Sequence, residues 1–122
     1  MHPKSPKWLD DVVRACQRIE TYTAGLEQDG YEDDRLVRDA VERNLMIIGE
    51  ALYRLAQVDP HTAARVSNLH QIVAVRHRLA HGYDDDIDDA RIWTIIREFV
   101  PPLRTEVERL LEEAESSYRG DA

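Results

Sequence analysis

The chain has no apolar run approaching the ~20 residues a helix needs to cross a bilayer, which excludes a spanning helix. No apolar stretch follows the lysines near the amino-terminal end, so a secretory leader is not expected. The single cysteine, Cys16, leaves no internal disulfide and fits a small core residue in a cytoplasmic protein. A glycine-rich phosphate loop is missing, and carboxylates are not paired in a metal-binding context, so the chain is not expected to bind and transfer nucleotides itself. An excess of positive charge is also missing: 24 Asp and Glu stand against 16 Lys and Arg. A net charge of −8 excludes a general nucleic-acid coat protein and confines any RNA contact to a local patch. One further absence marks where that patch lies. Residues 60–83 contain no Asp or Glu, yet they hold Arg65, Arg76, Arg78 and four of the five histidines. A carboxylate-free cationic segment in an acidic chain points to a phosphate-bearing ligand.

Strand-like alternation and internal repeats are absent too, whereas apolar residues recur at helical spacing almost throughout. Leu9, Val12, Val13, Cys16, Ile19, Thr23 and Leu26 form a first stripe, closed by Asp29-Gly30 as a turn signal. Val37, Ala40, Val41, Asn44, Ile48, Ala51, Leu52 and Leu55 form a second. It stops before Asp59-Pro60, because proline disfavours helical geometry in the residue before it. Leu69, Ile72, Val73, Val75 and Leu79 mark a shorter third helix, with Gly82 placed as its left-handed terminator. The last stripe, over about 90–114, keeps its phase across Pro101-Pro102, which predicts a kinked helix. The 122 residues thus make one all-α domain, an up-and-down bundle of about four to five helices, with residues 1–6 and 116–122 as flexible ends. In the acidic run 84–89, Asp84, Asp86 and Asp88 have the spacing of a calcium loop. Asp89 stands where that loop needs glycine and Ile95 where it needs glutamate, so the run reads as a turn whose last carboxylates cap the next helix.

Arg76-His77-Arg78-Leu79-Ala80-His81-Gly82-Tyr83 carries the chemistry. RNA brings its own nucleophile, the 2′-hydroxyl. The protein must then supply a base, a cation for the charge building on phosphorus, and an acid for the leaving oxygen. Imidazole exchanges protons near neutral pH, and guanidinium grips two phosphate oxygens at once. Residues five apart on a straight helix differ by ~140° in direction, so Arg76 and His81 converge only if the helix ends at His81. One chain also offers one well-placed imidazole for two proton transfers, and a twofold dimer would bring two.

Arg76-x4-His81-x-Tyr83 resembles the motif of the HepT toxins, a branch of the HEPN superfamily of helical ribonucleases. The stretch from Asp39 through Asn44, Gly49 and Glu50 to Ala51 resembles that family's second helix, and Trp93 with Pro101-Pro102-Leu103 resembles its last. The resemblance covers nearly the whole chain. It implies a HEPN-like fold and a homodimeric, metal-independent endoribonuclease acting on single-stranded RNA, with Arg76 and His81 in the cleft between protomers and no cofactor. It also implies a type VII-like toxin–antitoxin pair, in which an MntA-like nucleotidyltransferase antitoxin transfers AMP to the motif tyrosine, here Tyr83. Many relatives have asparagine after the motif arginine; His77 at that position implies a changed hydrogen-bond pattern.

Other readings stand beside these. Cations at a helix C-terminus also meet the negative end of the dipole for purely structural reasons. His77 and His81 have i, i+4 spacing, but His70 lies two turns from His77, and the neighbouring arginines repel a cation, so no metal site is expected. Arg43, Asn44 and Glu50 in the second stripe fit either a buried polar network or a support for the site, with Glu50 orienting Arg76 or His81. A catalytically silent helical partner of a small nucleotidyltransferase is the alternative function, and the fold cannot separate it from the nuclease.

Overall fold

A computed structural model of the chain describes residues 1–81 and 87–120. Among these there is no strand. The helices are α1 (Ser5–Thr23), α2 (Gln28–Asp33), α3 (Arg35–Val58), α4 (Pro60–Ala63), α5 (Leu69–His81), α6 (Asp89–Thr94) and α7 (Val100–Gly120), with a π-helical turn, Ile95–Phe99, joining the last two. Helix α3 is central, with α1 on one side and α5 on the other, and α7 covers the far side of α1. The all-α bundle expected from the apolar periodicity is therefore the observed architecture.

The stripes bury as their spacing requires. Leu9, Val12, Cys16 and Ile19 of α1 meet Val41, Leu45, Ile48, Leu52 and Leu55 of α3 in one core, which Leu103, Val107 and Leu110 of α7 extend. Each such side chain contributes about 1.5–3 kcal/mol on leaving water. Burial pushes the Cys16 thiol up to about 12, with smaller contributions from nearby charges, so it serves as a core residue.

One local feature differs from the sequence expectation. Asp29-Gly30 lies inside α2 and is not the turn. The chain reverses at Gly25, whose φ of 78° is the left-handed conformation glycine adopts without penalty. Tyr31 drives the difference: it is fully buried against Trp93, with ring centroids 5.5 Å apart, and its burial favours folding the segment around it. At Pro101-Pro102 the last helix runs on in phase, disturbed as the sequence led one to expect. Both sit in the first turn of α7, where a missing N–H is tolerated, and the π turn immediately before them absorbs the disrupted ladder.

Helix ends are capped by short acids. Asp34 accepts from the Val37 N–H at 3.1 Å to start α3. Asp88 accepts from Ala90 and Arg91 to start α6, as expected for the end of the acidic run. Gly82, Tyr83 and Asp84 to Asp86 lie outside the described residues, and with them the proposed terminator of α5. Ser67 donates from both its N–H and its hydroxyl to Glu106 of α7, which fixes the approach to α5.

Candidate functional site

Helix α5 carries Arg76 on its inner side, and His81 is the last described residue of that helix. Gly49 decides how closely it approaches α3. A Cβ at that position would overlap the Arg76 Cβ and lie 2.7 Å from its Cγ. Only a residue without a side chain lets the α5 backbone come this near, so glycine inside a helix is a packing requirement here. The approach delivers the Arg76 guanidinium to Glu50, one residue beyond Gly49 on α3. Arg76 Nη2 and Glu50 Oε2 form an ion pair at 2.6 Å, while Glu50 Oε1 accepts from Arg54 Nε at 2.9 Å. Glu50 thus holds Arg76 from one side with its other oxygen already engaged.

His81 stands exposed in the last turn of α5, and its ring lies 4.7 Å from that of His77, tilted by 53°. His77 and Arg78 are exposed as well. Tyr83 is outside the described residues. Asn44 is buried, accepting from Arg18 Nε at 2.7 Å and donating to the Ala40 carbonyl at 2.8 Å. Its amide joins α3 to α1, and none of these bonds reaches Glu50 or Arg76. Among the described residues no three His, Cys, Asp or Glu side chains gather as a metal would require.

A cleft of about 810 Å³ opens beside Arg76. Its walls are the start of α1 and the exposed side of α3; Pro3, Trp8, Met46, Ile47 and Ala51 supply apolar surface. Five cations (Lys4, Lys7, Arg43, Arg54 and Arg76) face it against two carboxylates, Asp11 and Glu50. An acidic protein has therefore concentrated positive charge in one concave surface, where a low-dielectric wall strengthens attraction for an anion. Lys7 pairs with Asp11 at 3.1 Å, but Lys4 and Arg43 have no ion-pair partner among the described residues.

Nothing local in the sequence links the α1 wall with Arg76, because Trp8 and Lys4 lie some 70 positions away. Asp59 makes the connection. Placed between α3 and α4, it accepts from the His2 N–H at 3.0 Å, the Ser5 hydroxyl at 2.8 Å, and the Thr62 N–H and hydroxyl at 3.2 and 2.7 Å. Burial pushes its carboxyl up, but the hydrogen bonds from Thr62, His2 and Ser5 outweigh it and hold the group well below the usual carboxylate range. The bonds pin the first turn of α1 so that Lys4, Lys7 and Trp8 face α3. The one sequence signal was Asp59-Pro60 itself, readable only as a helix end.

Residues 12–110, most of the chain, match the family described as HepT-like ribonucleases. The chain belongs to that family. Among its relatives, a protein of Methanocaldococcus jannaschii named as a candidate RNase is 28% identical over 103 residues, covering 83% of this chain and 91% of the relative. A protein of Thermococcus cleftensis named as a probable ribonuclease HepT is 27% identical over 107 residues, covering 84% and 92%. A longer M. jannaschii protein, named for a gamma-glutamylcyclotransferase and a candidate RNase, is 24% identical over 110 residues; the match takes in 90% of this chain and about half, 49%, of that relative. No solved structure matches the chain significantly.

Proposed function

We propose that the protein is a metal-independent endoribonuclease that cuts single-stranded RNA, working as the toxin of a type VII-like toxin–antitoxin pair in the cytoplasm. The observation that carries the reading is Arg76, locked to Glu50 at a cationic cleft five residues before the exposed His81, in a chain of the HepT-like ribonuclease family. His81 exchanges the proton of the 2′-hydroxyl. Arg76 donates to the phosphate oxygens as negative charge builds on them, and Glu50 fixes the guanidinium plane for that contact. The 2′-oxygen bonds to phosphorus as the 5′-oxygen leaves, giving a 2′,3′-cyclic phosphate. The second proton transfer calls for a second imidazole, which a homodimer with two α5 helices near its twofold axis supplies.

Tyr83 is the proposed switch. It follows His81 by two residues, so AMP attached there sets a phosphate anion and a bulky adenosine beside Arg76 and Arg78, opposing RNA by charge and by bulk. The modifying enzyme is an MntA-like nucleotidyltransferase acting as antitoxin.

The test is cleavage of an unstructured RNA in EDTA by the wild-type chain, Arg76→Ala and His81→Ala, with circular dichroism as the control for folding. Each variant is expected to stay folded and lose cleavage. Full activity in either, or loss of all wild-type activity in EDTA, overturns the mechanism. Peptide mass spectrometry after incubation with the nucleotidyltransferase, ATP and Mg²⁺ tests the switch: AMP is expected on Tyr83, and modification elsewhere refutes it.

A further inference from the structure

We infer that the cleft between α1 and α3 is a nucleotide subsite for the substrate strand, in which the Trp8 indole stacks against an unpaired base while Lys4 and Arg43 hold the adjoining phosphate. The inference rests on the ribonuclease reading and adds to it the part of the protein that receives RNA beside the scissile bond.

Four observations converge on the cleft. Its volume, about 810 Å³, falls within the ~300–1,000 Å³ typical of sites for small molecules, enough for a nucleotide and its phosphate. Arg76 is one of its lining residues, so a strand lying in it reaches the group proposed to hold the scissile phosphate. Of the two tryptophans, Trp93 is buried under α2, whereas Trp8 is partly exposed and lines the cleft. An indole offers a flat π surface that accepts any base, provided the base is not already paired. Lastly, the cations are of two kinds. Lys7, Arg54 and Arg76 are engaged by Asp11 and Glu50, while Lys4 and Arg43 have no ion-pair partner among the described residues. The unengaged pair is the part of the surface that an anion can claim without breaking an existing contact.

Asp59 gives the subsite rigidity. Two bonds from Thr62 hold Asp59 against α4, and two more, from the His2 N–H and the Ser5 hydroxyl, fix the start of α1 to it, so Trp8 and Lys4 meet the nucleotide already in place. Because stacking needs a free base face, the subsite selects unpaired RNA over duplex.

The experiment uses a short 2′-O-methyl oligouridylate, which carries bases and phosphates but lacks the attacking hydroxyl and is not cut. Its affinity is measured by anisotropy of a labelled end, and indole emission is followed in parallel. Wild type is expected to bind with saturable quenching. Trp8→Leu should bind about tenfold more weakly without quenching, with Trp8→Phe between them as a variant that keeps a ring in the core-facing position. Arg43→Gln should flatten the salt dependence, lowering the slope of log K against log salt by about 0.7 for one lost phosphate contact. The same oligonucleotide in duplex form should bind more weakly than the single strand. Equal affinity of wild type, Trp8→Leu and Trp8→Phe, or no binding by any of them, overturns the subsite. The two readings fail separately. Cleavage of RNA by Trp8→Leu with unchanged KM removes the subsite and leaves the nuclease, while Trp8-dependent binding without cleavage leaves the subsite and removes the nuclease.

Discussion

Replacing Gly49 by alanine is the sharpest perturbation the packing allows. On propensity alone the change should stabilise α3 by about 1 kcal/mol, since glycine is the weaker helix former. The structure reverses the sign. The new Cβ would overlap the Arg76 Cβ, and both atoms are rooted on backbone, so no rotamer change relieves the clash. Carbon atoms sit ~3.5–4.0 Å apart at rest, so α3 and α5 must separate by roughly 1.5 Å. Overpacking of this kind costs about 1–3 kcal/mol, and a clash between two fixed atoms belongs at the upper end. Subtracting the propensity gain leaves a net loss of about 2 kcal/mol, or about 8 °C in Tm for a chain of this size. The separation also draws Arg76 away from Glu50, and a displacement of ~1 Å at a catalytic group lowers the rate by about 100-fold. Thermal unfolding followed by circular dichroism and RNA cleavage by the same preparation give both readouts. A Gly49→Ala protein that melts at or above the wild-type temperature and cuts RNA at full rate would refute the claim that glycine sets the α3–α5 approach.

Two further outcomes follow from single side chains. Asp59 has a folded-state pKa below its unfolded value of ~4, so its contribution is complete above about pH 4 and fades as acid protonates it. Asp59→Asn should lower Tm at neutral pH and flatten the loss of stability between about pH 4 and pH 2; an unchanged acid transition would show that another group controls it. Glu50→Gln keeps the shape but removes the charge that holds Arg76, so kcat should drop about 10- to 100-fold with KM for RNA changed much less, and an unchanged kcat would remove Glu50 from the positioning of Arg76.

The helical stripes were legible because each element's periodicity matches the face it buries. Leu9, Val12, Cys16 and Ile19 point into the core as their 3.6-residue spacing dictates. Asp29-Gly30 misled because local turn chemistry competed with a tertiary contact, the burial of Tyr31 on Trp93, that no local pattern announces. Pro101-Pro102 carried the signal of a disturbed helix, and the disturbance takes the form of the π turn just before them. At the site, Arg76 and His81 were legible as residue types suited to phosphate chemistry, and Glu50 as a support for one of them or a member of a buried polar network. The pairing of Glu50 with Arg76 was legible only as one of two options, since it depends on an interhelical distance set by Gly49. The α1 wall was not legible at all. Trp8 shows no local sign of a cleft residue, and the hydrogen bonds from His2 and Ser5 to Asp59 hold the start of α1 where Lys4 and Trp8 line the cleft.

The central claim, that Arg76 and His81 drive attack by the RNA's own 2′-hydroxyl, is tested most directly by the ends of the products. The wild-type chain is incubated in EDTA with an unstructured oligoribonucleotide and with a copy carrying 2′-deoxy sugars, and the fragments are weighed by mass spectrometry. Fragments ending in a 2′,3′-cyclic phosphate, or its opened monophosphate, opposite 5′-hydroxyl ends, are expected, with no cleavage of the deoxy copy. Cleavage of the deoxy strand, or fragments with 5′-phosphate and 3′-hydroxyl ends, would contradict the claim.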